Sequence, residues 1–154
     1  LYYTYLNPTP IGDSFKLGDI DRNTGKSIET TNRTTSDFIS IDGYDEISLT
    51  SDFKVSTNDY ERVFSPSDLG FEKAKPEELV AGATEEEAAK IFDAVLENRS
   101  LSAQKNIVLA NAGFGIQVME NGKKDIQECI AIARESLESG KALATFKKFV
   151  ELNS

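Results

Sequence analysis

Along this 154-residue chain the repeat of apolar side chains changes near residues 64–77 from two residues to about 3.6. A period of two belongs to half-buried strands and a period near 3.6 to amphipathic helices, so one chain must build a sheet first and cover it with helices afterwards. In the first part, turn pairs such as Asn7-Pro8, Thr24-Gly25 and Asp42-Gly43 separate short Thr-, Ser- and Tyr-rich runs. Strands are expected at residues 15–20, 37–41, 47–50, 54–56 and 61–64.

The second part predicts helices over residues 84–98, 102–120, 125–139 and 141–152. Thr84-Glu85-Glu86-Glu87 has the form of a capping box, in which Thr84 accepts from the amide of Glu87 and Glu87 reaches back. Ala88, Phe92, Val95 and Leu96 then share a face. Asp125 and Glu128 form a second box ahead of Ile126, Ile130, Ala133 and Leu137, and Gly140 offers a left-handed stop. Leu143, Phe146 and Val150 stripe the last helix.

The run Ile107-Val108-Leu109-Ala110-Asn111-Ala112-Gly113-Phe114-Gly115-Ile116 is apolar on nearly every side except at Asn111. It predicts a buried helix in which Asn111 must find hydrogen-bond partners. Gly113 and Gly115 each cost about 1 kcal/mol in a helix interior, which points to a close approach on that backbone. The expected fold class is α/β, a mixed sheet from the N-terminal half packed against about four C-terminal helices. Residues 1–154 are expected to form a single α/β domain, with 1–35 an atypical β-rich segment.

A hydrophobic fraction of 39% suffices for one core. The 26 acidic and 17 basic residues leave a net charge of −9, which argues against a non-specific nucleic-acid binder or a reader of anionic membranes. No histidine occurs, so Ser-His-Asp and Cys-His catalysis and imidazole-ligated zinc are excluded within this chain. The single cysteine, Cys129, is expected as a buried apolar filler and suits a cytoplasmic setting. No apolar run approaches the ~20 residues of a membrane helix, and Leu-Tyr-Tyr-Thr-Tyr at the start has no signal-peptide character. The missing initiator Met reads as a processed or partial chain.

One segment points to chemistry. Phe38-Ile39-Ser40-Ile41 runs into the Gly43 turn and delivers two adjacent carboxylates, Asp45 and Glu46, where α/β folds place ligands. Such hard oxygen donors suit magnesium, which keeps most of its waters and binds through one or two carboxylates plus phosphate oxygens. The same residues also serve as ordinary solvated turn formers. Asp19-Ile20-Asp21-Arg22-Asn23-Thr24-Gly25 is not a calcium loop, because that loop needs glycine at the sixth position and a bidentate glutamate at the twelfth, whereas here Thr24 is the sixth residue and Glu29 the eleventh. It reads as a hairpin turn.

From residue 36 to 154 the chain resembles the C-terminal α/β part of anthranilate phosphoribosyltransferase. The residues that carry the resemblance are Asp42-Gly43-Tyr44-Asp45-Glu46-Ile47-Ser48-Leu49-Thr50, Lys54-Val55, Ser65-Pro66-Ser67-Asp68-Leu69-Gly70-Phe71, Ala81-Gly82-Ala83-Thr84, Ala110-Asn111-Ala112 and Glu138-Ser139-Gly140-Lys141-Ala142, in that order. The resemblance implies a glycosyltransferase of tryptophan biosynthesis that displaces pyrophosphate from phosphoribosyl pyrophosphate with the amine of anthranilate. It implies magnesium as cofactor, held by Asp45 and Glu46, and an N-terminal helical domain that this chain lacks. The family's glycine-rich phosphate loop and its Lys-His-Gly-Asn-like stretch have no counterpart here, so no catalytic residue is assigned beside the two metal ligands and the isolated chain is expected to be inactive. Leu6-Asn7-Pro8 and Leu17-Gly18 echo the family weakly, and a hairpin replaces the helix expected after them. The alternative is a non-catalytic β-rich binding or structural module, for which Arg33–Ile39 would form a sandwich strand.

Overall fold

The computed structural model describes residues 36–40, 46–57 and 60–153. The chain divides into two units, Leu1–Arg33 and Thr34–Ser154, and every described residue lies in the second. The strand expected at 15–20, the hairpin at Asn23-Thr24-Gly25 and the turn at Asp42-Gly43 fall outside the described residues.

Strands β1 (Ser36–Ser40), β2 (Phe53–Thr57) and β3 (Glu61–Phe64) form a sheet in the order β1-β2-β3. Both pairings are antiparallel, with Phe38 opposite Val55 and Phe53 opposite Phe64. Helices α1 (Glu85–Leu96), α2 (Ser102–Met119), α3 (Ile126–Glu138) and α4 (Lys141–Leu152) follow, after two short 3₁₀ turns at Pro66–Leu69 and Pro76–Leu79. No helix among the described residues is long and apolar enough to cross a membrane.

The sheet and helices meet at three rings. Phe53 and Phe64 stack at 5.8 Å between centroids, and Phe114 of α2 meets them edge-on at 6.0 and 5.8 Å. Phe53 and Phe114 are fully buried, as are Leu109, Ile47, Leu49 and Val55. Cys129 joins this core as expected, and burial pushes its thiol above the ordinary range.

The expected strand at 47–50 does not form. Ile47 and Leu49 alternate with polar residues as a half-buried strand would, yet Ser48 and Thr50 are buried as well. Leu49 adopts φ +59°, a left-handed conformation that breaks a strand. The two hydroxyls satisfy each other at 2.7 Å, and the Thr50 N–H donates to Ser48 Oγ at 3.2 Å, so the segment stays buried without a ladder.

Local caps explain the stretches between elements. Ser65 N–H donates to Asp68 Oδ2 at 2.7 Å and the Ser65 hydroxyl donates to the same oxygen at 2.8 Å, which together hold the Asp68 carboxyl below its ordinary value. Gly70 then turns the chain at φ +77° toward Phe71 and Ala74, both buried. At α3 the Asp125–Glu128 box is complete, with bonds of 2.8 and 3.2 Å. At α1 the box departs from expectation: Thr84 Oγ1 accepts from Glu87 N–H at 3.2 Å, but the Glu87 carboxylate takes the amide of Ala83 at 2.7 Å instead of that of Thr84. Gly82, at φ +88°, lets the chain fold against Glu87, where a Cβ would lie 2.5 Å from the Glu87 Cβ.

The two helix glycines separate. A Cβ on Gly113 would sit 2.6 Å from Ile130 Cγ1, so α2 and α3 touch there. Gly115 faces open space, which corrects the expectation of close approach at that position. Gly113→Ala is therefore expected to destabilise by about 1–3 kcal/mol through overpacking. Gly115→Ala is expected to stabilise by about 1 kcal/mol, because only helix propensity changes. Urea unfolding of both variants checks the opposite signs.

Candidate functional site

Of the two carboxylates read from the sequence, Asp45 lies outside the described residues. Glu46 is described, exposed, and one residue ahead of a fully buried Ile47. It borders a cleft of about 340 Å³ that is also lined by Ser48, the Pro76–Leu79 turn and Ile107. The lining residues are mostly aliphatic, and Glu46 is the charged residue among them.

Asn111 ties this segment to α2. Its Oδ1 accepts the Ile47 N–H at 3.2 Å, and its Nδ2 donates to the Ile47 carbonyl at 2.9 Å and to the Ile107 carbonyl at 2.9 Å. The amide therefore pairs with Ile47 as a neighbouring strand would, using both donors and one acceptor. Beyond it, the Ala74 N–H donates to the Leu49 carbonyl at 2.9 Å, so residues 47–49 are fastened to two different parts of the fold. The need of Asn111 for a partner is legible in the sequence, but the partner is not, because Ile47 lies 64 residues away.

Among the described residues no three His, Cys, Asp or Glu side chains gather as a metal cage. An exposed carboxylate at the edge of a cleft suits the other kind of site, in which magnesium arrives with a phosphate ligand and takes only one or two protein oxygens. Glu46 fits that donor chemistry.

A family model described as glycosyl transferase family, a/b domain, matches residues 19–143. That match begins upstream of residue 36, where the resemblance read from the sequence starts. The anthranilate phosphoribosyltransferase of Phocaeicola vulgatus is 65% identical over 114 residues, covering 74% of this chain and 34% of that protein. Its counterpart in Bacteroides fragilis is 58% identical with the same coverage. The chain thus spans about a third of the length of these curated relatives. Among solved structures, the anthranilate phosphoribosyltransferase of Thermus thermophilus aligns with a TM-score of 0.64 at 27% identity, covering 76% of this chain and 35% of that one. The Saccharomyces cerevisiae protein, in a complex with PRPP and Mg, aligns with a TM-score of 0.68 at 22% identity, covering 77% and 33%, and this likeness concerns the fold.

Proposed function

Since this chain belongs to the glycosyl transferase family, a/b domain, we propose that it is the C-terminal α/β portion of an anthranilate phosphoribosyltransferase and contributes the metal-facing side of that enzyme's site. The observation that carries this reading is the 65% identity over 114 residues, a span that in a 154-residue chain must include residues 41–114 and hence Glu46 and Asn111. In this reading residues 36–154 are part of the catalytic domain, residues 1–35 are a segment of separate character, and a helical N-terminal domain completes the pocket.

The reaction is displacement of pyrophosphate from phosphoribosyl pyrophosphate by the amine of anthranilate. Magnesium, when bound, offsets the negative charge that grows on the departing pyrophosphate. Asp45 and Glu46 are its protein ligands in this reading, and both offer hard carboxylate oxygens of the kind magnesium takes. Asn111 holds the backbone of Ile47, the residue that follows Glu46 at the edge of the cleft. Catalysis then rests on positioning and charge, with no covalent intermediate on the protein.

The test joins this chain to the N-terminal part of the P. vulgatus relative. The 154-residue chain alone, given phosphoribosyl pyrophosphate, magnesium and anthranilate, is expected to form no product above background, and the chimera is expected to turn over. A folded chimera that releases no pyrophosphate would overturn the assignment, and turnover by the chain alone would overturn the division of the site.

A further inference from the structure

We propose that Asn111 is a positioning residue for the Glu46 carboxylate, setting the affinity of the site for metal-complexed pyrophosphate from the far side of the peptide. This inference rests on the reading of Glu46 as a metal ligand given above.

Glu46 has an exposed side chain, while the peptide that follows it is buried. Where that carboxylate sits depends on where its backbone is set, so a ligand held to one place requires a fixed backbone beneath it. Asn111 does this from both sides of Ile47, taking its N–H and giving to its carbonyl. The third bond, to the Ile107 carbonyl one turn earlier on α2, fixes the amide plane itself. Reversing the amide would set an NH₂ group against the Ile47 N–H and an oxygen against two carbonyls, so the network admits one orientation. The Ala74–Leu49 bond and the left-handed Leu49 prevent the segment from sliding along α2.

A polar residue in the apolar run of α2 is a costly choice if packing were all that mattered, because a leucine there would need no partners. What the asparagine provides, and a leucine would not, is a fixed peptide next to the exposed carboxylate. Residues that orient metal ligands without touching the metal typically change metal affinity by 10–100-fold when replaced.

The experiment uses the 154-residue chain, isotopically labelled, with manganese as a paramagnetic stand-in for magnesium and inorganic pyrophosphate as the probe. The concentration of manganese pyrophosphate that half-broadens the Ile47 amide signal is measured for the parent, Glu46→Gln, Asn111→Leu and Cys129→Ala. Cys129→Ala is a core truncation at a residue that does not line the cleft and serves as the control for lost stability. Asn111→Leu is expected to raise that concentration about 10–100-fold, as Glu46→Gln does, and Cys129→Ala is expected to leave it within about twofold of the parent. Parent-like binding by Asn111→Leu while Glu46→Gln loses it would overturn the positioning role and leave the metal reading intact. Equal losses in Asn111→Leu and Cys129→Ala would overturn it too, as a plain stability effect. Parent-like binding by Glu46→Gln, or no broadening in the parent, would instead sink the metal reading and this inference with it. A second measurement needs no variant: the Ile47 amide of the free chain should exchange with solvent about as slowly as the helical amide of Leu109, and exchange at the rate of an exposed turn would overturn the clamp.

Discussion

Glu46→Gln in the chimera is expected to lower turnover on the order of 10²-fold or more, the usual loss when one group that stabilises developing charge is removed. Asp45→Asn should do the same. Glutamine keeps the size and the hydrogen-bonding oxygen of glutamate and removes the charge, so the variant isolates the attraction between carboxylate and cation. The magnesium concentration for half-maximal rate should rise along with the loss of rate. Glu86→Gln, in the exposed first turn of α1, should leave both quantities unchanged. Steady-state rates measured across a magnesium titration decide the matter. If the Asp45 and Glu46 variants kept the parent's rate and magnesium dependence, the two carboxylates would be ordinary turn residues.

Phe114→Ala is expected to cost about 3–5 kcal/mol of folding stability, the range for truncating a buried aromatic ring. The whole stability of a domain is only about 5–15 kcal/mol, so the variant should be close to unfolding. Phe114 is 1% exposed and sits edge-on to both Phe53 and Phe64, so one ring joins α2 to two strands. Its loss opens a cavity beside the Phe53 and Phe64 rings, which relax only partly into the space. Phe114→Leu keeps most of the volume and should cost less than about half as much. Urea unfolding monitored by circular dichroism gives both values, and a Phe114→Ala cost below 1 kcal/mol would show that the aromatic junction does not hold the layers together.

The family resemblance was legible from residues 36 onward, because short polar motifs such as Ser65-Pro66-Ser67-Asp68-Leu69-Gly70 encode their own geometry. Ser65 and Asp68 bond to each other, and Gly70 supplies the left-handed turn. The four helices lie within two residues of their expected bounds for the same reason: caps, apolar spacing and stop glycines act over three or four residues. Asp125 and Glu128 needed no information from elsewhere in the chain.

Other features depended on contacts that sequence distance hides. Residues 47–50 carry a strand's alternation, but burial on all sides and the left-handed Leu49 make them a fastened irregular segment. Gly113 and Gly115 look alike in sequence, and only the position of Ile130 distinguishes a helix contact from open space. The sequence by itself determined the helices, the Asp125–Glu128 cap, the absence of histidine chemistry and the two candidate carboxylates, since each depends on residue identity or on neighbours one turn away. Tertiary structure alone decided that Asn111 grips Ile47 and that Glu46 borders a cleft, because a hydrogen bond across 64 residues forms only after the layers between them have packed.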